Sequence, residues 1–299
     1  MLFALFRPPI GWLDVVKRTV HEIQADNCLG LAAQLAFYFL LSLFPAVLFL
    51  VALIGYLPVD QAFTQLLEAL GAVAPQELLA LVRQQLEQVS QGQHAGLLTV
   101  GIAGAIWSSS VAMVAIIDAL NHAYDVSEWR PWWKRRLLAV VLTLLLALFI
   151  LVALVFVLVG PAVASQAAAW FRIEPAVAYV WRLVRWPVIV FCVVLGLDLV
   201  YHFAPNRPAR WAWITPGSLV ATVLWIASSV GFRFYVSNFG DYTATYGAIG
   251  GAIVAMLWFY VSGLAILVGA ELNGVIEQAA RAARAEAQTR EAISEVRKV

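Results

Sequence analysis

The feature that limits this chain most is an uncharged run near its end. Between Asp241 and Glu271 stand 29 consecutive residues without Asp, Glu, Lys or Arg. About 20 apolar residues cross the hydrocarbon core of a bilayer as a helix, so this run spans with residues to spare. A lone backbone in lipid must satisfy its own polar groups, which makes helix the required form. Within the run Gly247 and Gly251 form a G-x-x-x-G that Ala255 continues by one turn. Such rows let two backbones approach closely and predict helix packing on that face, although glycine is also generally frequent in membrane helices.

Composition extends the conclusion to the whole molecule. A soluble domain carries about 25% charged residues. This chain carries 12%, with 63% hydrophobic residues and a mean hydropathy of +0.84. That is an all-α polytopic membrane protein. A net charge of +1 gives no footprint for a nucleic-acid groove. Cys28 and Cys192 sit in apolar surroundings without metal-ligand spacing and read as free thiols.

Six spans are expected, at about 29–57, 96–124, 137–163, 183–203, 213–236 and 245–276, together forming a domain over 29–276. Residues 1–28 read as an amphipathic cytoplasmic or interfacial helix rather than a signal peptide, since Trp12, Val15, Val16, Thr19, Val20 and Ile23 share one helical face. Residues 59–91 place Leu66, Leu67 and Leu70, then Leu78, Leu79, Val82, Leu86 and Val89, among Gln, Glu and Arg at helical spacing. They are too polar to span and predict a helical cap on one membrane face. Residues 277–299 form a polar, Ala-, Glu- and Arg-rich tail.

Orientation follows from the basic residues. With the N-terminus cytoplasmic, 14 of the 19 lysines and arginines fall inside, leaving Arg83, Arg172, Arg182, Arg185 and Arg233 outside. Both termini are then cytoplasmic and the cap extracytoplasmic.

Several separated motifs resemble the YihY/BrkB family of bacterial inner-membrane proteins. They are A-F-Y-F-L-L-S-L-F-P at 36–45, A-L-N-H-A-Y at 119–124 with R-P-W-W-K-R-R at 130–136, A-P-N-R-P at 204–208, Y-G-A-I-G-G-A-I at 246–253 and G-A-E-L-N at 269–273. The resemblance covers nearly the whole chain. It implies a six-span inner-membrane protein suspected of transport, including lipid movement, and once labelled ribonuclease BN in what is regarded as a misassignment. The matching positions are Tyr38, Pro45, Asn121, Tyr124, Pro205, Tyr246, Gly247, Glu271 and Asn273, while His122 stands where the family more often has a basic residue. The family supplies no agreed catalytic or binding residues.

Two constellations bear on chemistry. Spans two and four each end in Asp-x-x-x-His, Asp118 with His122 and Asp198 with His202, and i,i+4 spacing puts each pair on one helix face. Gln34, Asn121, Glu271 and Asn273 belong to the same cytoplasmic third. Ionisable groups in membrane helices usually face the interior, pair, or line a wet cavity, so the set reads either as a polar vestibule and proton relay or as solvated residues at the interface. On the outer side Arg182, Arg185 and Arg233 read either as a headgroup-binding cleft or as residues snorkelling to the interface. No catalytic residue, cofactor or metal site is expected. The serines at 108–110, Ser228 and Ser229 have no histidine spaced to activate them and read as inter-helix hydrogen bonds.

The function expected is a transporter moving an anionic lipid or amphiphile, with membrane lipids as partners, a homo-oligomer allowed and no nucleic acid. Export of a small polar solute and a non-transporting scaffold are the alternatives. An enzyme is not expected: a nuclease needs an accessible basic groove, and the cytoplasmic arginines follow from topology.

Overall fold

The computed structural model describes residues 8–54, 95–150, 174–208, 213–239 and 248–296. Helix is the one regular structure among them. In chain order these are α1 Trp12–Ala25, α2 Cys28–Ile54, α3 Ala95–Ala123, α4 over 132–150, α5 Glu174–Phe203, α6 Pro216–Phe239 and α7 Ala248–Val296. The 59–91 segment expected to form the cap lies outside the described residues, as does Gly247.

Four helices hold a stretch long and apolar enough to cross a bilayer: Ala103–Ala123, Trp186–Phe203, Pro216–Tyr235 and a stretch within Gly250–Glu291. A fifth is reached if α1 and Cys28–Leu43 count as one broken span, bent by 64°. The bend has a local cause. Asn27 adopts φ 50°, the left-handed conformation that a short polar side chain tolerates after a helix end. α1 thus turns its Val15 onto Leu272, Val275 and Ile276 of α7 while α2 departs in another direction. The structure describes α4 to residue 150, and the rest of the third expected span lies beyond.

α7 is a single helix of 49 residues. Its apolar part and its polar tail are continuous, as Ala, Glu and Arg are all strong helix formers. From Arg281 to Glu291 every side chain is exposed, so this end stands clear of the bundle.

The main core joins Cys28, Ala32 and Leu35 of α2, Ile117 and Leu120 of α3, Ala139 and Leu142 of α4, Val200 and Tyr201 of α5, and Leu267 and Ala270 of α7. Large apolar residues such as Phe37, Leu41, Leu144, Leu148, Val223 and Ile253 face outward instead. Lipid is as apolar as leucine, so packing and interhelical hydrogen bonds hold such a bundle rather than expulsion of water.

Close approach is therefore decisive. Ala255 is fully buried against Leu40, Leu43, Trp258 and Phe259, and Gly251 is buried too, so the small-residue row packs where it is described. The tightest crossing lies further along, between Gly217 of α6 and Gly269 of α7. A Cβ on either would collide with the backbone carbonyl of the other.

Candidate functional site

The polar residues gather where α3 and α5 end, α6 begins and α7 leaves the bundle. Their hydrogen bonds fall into several groups.

The first group is built on the start of α6. The sequence T-P-G-S puts proline at the first helical position, where its missing N–H costs nothing, behind a threonine cap. Ser218 N donates to Thr215 Oγ1 at 3.2 Å and Thr215 N to Ser218 Oγ at 3.3 Å, a reciprocal cap. Both hydroxyls also reach Asp198 on α5: Thr215 Oγ1 donates to Oδ1 at 2.6 Å and Ser218 Oγ to Oδ2 at 2.8 Å. Asn273 of α7 completes the group. Its Oδ1 accepts from Gly217 N at 2.9 Å and its Nδ2 donates to Thr215 Oγ1 at 2.9 Å. Asp198, 1% exposed, thus sits at the positive end of the α6 dipole. Its neighbours fix the join of three helices.

The second group is Glu271 with Cys28. Glu271, also 1% exposed, accepts from the Cys28 thiol at 3.1 Å. A thiol is a weak donor. Asp26 beside the α1–α2 bend shares a side-chain hydrogen bond with Glu271, and Glu22 and Asp125 are its other charged neighbours, all carboxylates. Among the described residues no lysine or arginine pairs with either Asp198 or Glu271.

The remaining groups are latches between loops. Arg130 forks Glu128, with Nε to Oε1 and Nη2 to Oε2 both at 2.8 Å, and also reaches the Ala204 carbonyl at 2.7 Å. Asn121 donates to Glu128 Oε2 at 3.0 Å and accepts from Asn206 N at 2.8 Å. Burial pushes the Glu128 carboxyl up, but the hydrogen bonds from Arg130 and Asn121 outweigh it and hold it below the usual range. Arg207, with a side chain 8% exposed, pairs with Glu277 of α7 and lies 3.9 Å from the centre of the Tyr124 ring. Arg135 pairs with Asp118 at 2.8 Å.

The expected residues therefore separate. Asp198 and Asn273 share one group, Glu271 lies in another, Asn121 belongs to a loop latch, and Asp118 turns to Arg135. In the first Asp-x-x-x-His couple exposed His122 contacts the Asp118 backbone carbonyl at 2.8 Å while the Asp118 carboxylate takes Arg135, and in the second half-buried His202 packs edge-on against Phe203. Gln34 is exposed on α2. Arg233 is exposed on α6 beside Phe234. Arg182 and Arg185 lie on α5, and their side chains are outside the described residues. Sequence reasoning missed Cys28, Thr215, Ser218, Arg207 and Glu277 as site members. T-P-G-S was a legible cap signal, and Arg207 stands inside the A-P-N-R-P motif.

A model of the family described as Virulence factor BrkB matches residues 19–294, which take in every group above. The chain belongs to the BrkB family. Among relatives, the ribonuclease-like protein YfkH of Bacillus subtilis (strain 168) is 38% identical over 262 residues, 88% of this chain and 93% of that protein. The UPF0761 membrane protein RSc1559 of Ralstonia nicotianae is 28% identical over 259 residues, 84% of this chain but 56% of its own length. A UPF0761 membrane protein of Tolumonas auensis is 25% identical over 266 residues, 86% of this chain and 83% of that one. No solved structure matches. Relatives named as membrane proteins and a helical fold with several apolar spans make this BrkB-family chain a membrane protein.

Proposed function

We propose that this BrkB-family protein is a transporter in the bacterial inner membrane, moving an anionic lipid or amphiphile. In this reading it has six spans, both termini cytoplasmic and the 59–91 cap outside. The observation that carries the reading is Glu271. It is a fully buried carboxyl group directly after the uncharged run that ends at Ala270, held by the Cys28 thiol and by the side chain of Asp26, with no lysine or arginine pairing with it among the described residues. Burying charge in a membrane helix costs about 2.5–3.5 kcal/mol even on lenient scales, and such residues mark ion or substrate pathways. Asp198 differs, since a helix start and two hydroxyls account for it.

Glu271 then takes up a proton or cation as the transport step proceeds. Arg182, Arg185 and Arg233 hold the anionic headgroup at the outer face through the forked geometry guanidinium offers to phosphate. No catalysis is proposed. Ser110 and Ser228 spend their hydroxyls on the carbonyls of Trp107 and Trp225, each three residues back. Export of a small polar solute through the same bundle stays the alternative substrate. The exposed end of α7 favours one second reading, a scaffold that presents a rigid polar helix to a partner.

The test is movement of a fluorescent phosphatidylglycerol between leaflets of proteoliposomes, with phosphatidylcholine and small organic anions run alongside. Faster exchange of the anionic lipid, lost in the Arg182→Ala, Arg185→Ala, Arg233→Ala variant, supports the reading. Equal loss of solute flux in that variant counts against a lipid substrate. No movement of any substrate, with a protein partner co-purifying, favours the scaffold.

A further inference from the structure

Four cations stand at the start of α4, and they are not equivalent. Arg130 is neutralised by Glu128 and Arg135 by Asp118, while Lys134 lies exposed over the ring of its neighbour Trp133 at 5.3 Å. Arg136 reaches elsewhere. Its guanidinium carbon is 4.2 Å from the centre of the Trp107 ring on α3, and its Nη2 donates to the Trp107 carbonyl at 3.2 Å. Among the described residues no carboxylate pairs with it, and its Nε is buried without a hydrogen-bond partner.

The position is unusual for a cation. Trp107 precedes Asp118 by 11 residues, about 16 Å along a helix, so Arg135 reaches the end of α3 and Arg136 its middle. Trp107 lies inside the apolar stretch Ala103–Ala123 and is 66% exposed. Directly after Arg136 runs the exposed stripe of Leu137, Val141, Leu144 and Leu148 along α4. The guanidinium is thus laid on a lipid-facing apolar surface at the depth of a span. One ring face and one carbonyl satisfy it only in part, because guanidinium has five N–H donors and a full charge. What it lacks is an anion.

We propose that Arg136, stacked on Trp107, is a phosphate-binding site on the lipid-facing surface between α3 and α4. Its ligand is the phosphate group of an anionic lipid or free phosphate, held through the guanidinium fork. A headgroup bound here sits partway into the bilayer with its chains along Leu137, Leu144 and Leu148. This deepens the transport reading, on which it rests for the site's purpose as a station along the headgroup's path; occupancy itself is read without transport.

The experiment uses the full chain in phosphatidylcholine vesicles doped with brominated phosphatidylglycerol or brominated phosphatidylcholine. Emission of Trp107 is isolated as the difference between each protein and its Trp107→Phe counterpart. In the wild type the anionic quencher should half-quench this component at about a tenfold lower mole fraction, the scale of one charge-assisted hydrogen bond. In R136Q the two quenchers should coincide. If inorganic phosphate shifts the Trp107 emission in an Arg136-dependent way while the lipids act equally, the site stands and its source is free phosphate. Equal action of both lipids on the wild type with no response to phosphate overturns the proposal, a comparison that needs no variant at Arg136 to fold. A lipid preference without leaflet exchange would sink the transport reading alone; exchange without the preference would sink this site alone.

Discussion

Two carboxylates with equal burial carry different loads because their donors differ. Asp198 accepts from two hydroxyls at the start of α6, so removing it leaves Thr215 Oγ1 without its acceptor and Ser218 Oγ with the Thr215 carbonyl alone. Asp198→Ala should destabilise the protein on the order of 2 kcal/mol, read as a lower unfolding midpoint in detergent. Glu271→Gln keeps shape and loses the charge whose burial is costly, and should leave that midpoint unchanged or raise it rather than lower it. Glu128 gives a pH prediction with a definite sign. Its folded carboxyl lies below its ordinary value, so the bound state contributes stability above the unfolded value, near 4.5 in its reference state, and that contribution is lost as pH falls through the lower folded value. Thermal unfolding of wild type and Glu128→Gln should therefore differ at neutral pH and converge at pH well below 4.5. A constant difference across that window would contradict the assignment.

At the level of elements, α7 is the member to which the others are fastened. Its Gly269 meets Gly217 backbone to backbone, its Gly274 would bring a Cβ to 2.6 Å from the Ala123 carbonyl, and its Glu277 takes Arg207. Gly217→Ala forces α6 off α7 and should cost about 1–3 kcal/mol or more, as overpacking does. Gly231→Ala, on the same helix with nothing within 4 Å of a Cβ, is the control and should be tolerated. For the latch, a double-mutant cycle on Arg207→Ala and Glu277→Ala should give a coupling of about 0.5–3 kcal/mol, whereas independent effects would show that the pair holds nothing. The helices were legible in the sequence because apolar runs and small-residue rows follow from what lipid permits. The pairings were not. Helical spacing says that Asp118 and His122 share a face, but not that Arg135 of the next helix covers the carboxylate. In the same way the partners of Asp198 lie across a loop, on α6, where only tertiary packing brings Thr215 and Ser218 to it. Glu271 and Asn273 were legible as an odd polar pair beside an apolar run; that they turn to different neighbours was not.

For the molecule as a whole, the proposed arrangement makes a topological prediction. Single cysteines placed at Lys17, Lys134 and Arg284 should react with a membrane-impermeant reagent only when it is applied from the cytoplasmic side, and one at Arg83 only from the outside. Labelling of Arg83 and Arg284 positions from the same side would overturn the six-span reading. Apolar runs and family motifs are spread along the chain, which is why membrane class and family are legible in the sequence, whereas the neighbours of each polar residue come from the fold. The coupling of buried Glu271 to transport is the step on which the proposed function turns. Its most direct test is leaflet exchange of fluorescent phosphatidylglycerol in proteoliposomes containing wild type or Glu271→Gln, with and without an imposed pH gradient. The gradient should change the wild-type rate and leave the Glu271→Gln rate unmoved. A gradient response of equal size in the variant would contradict it.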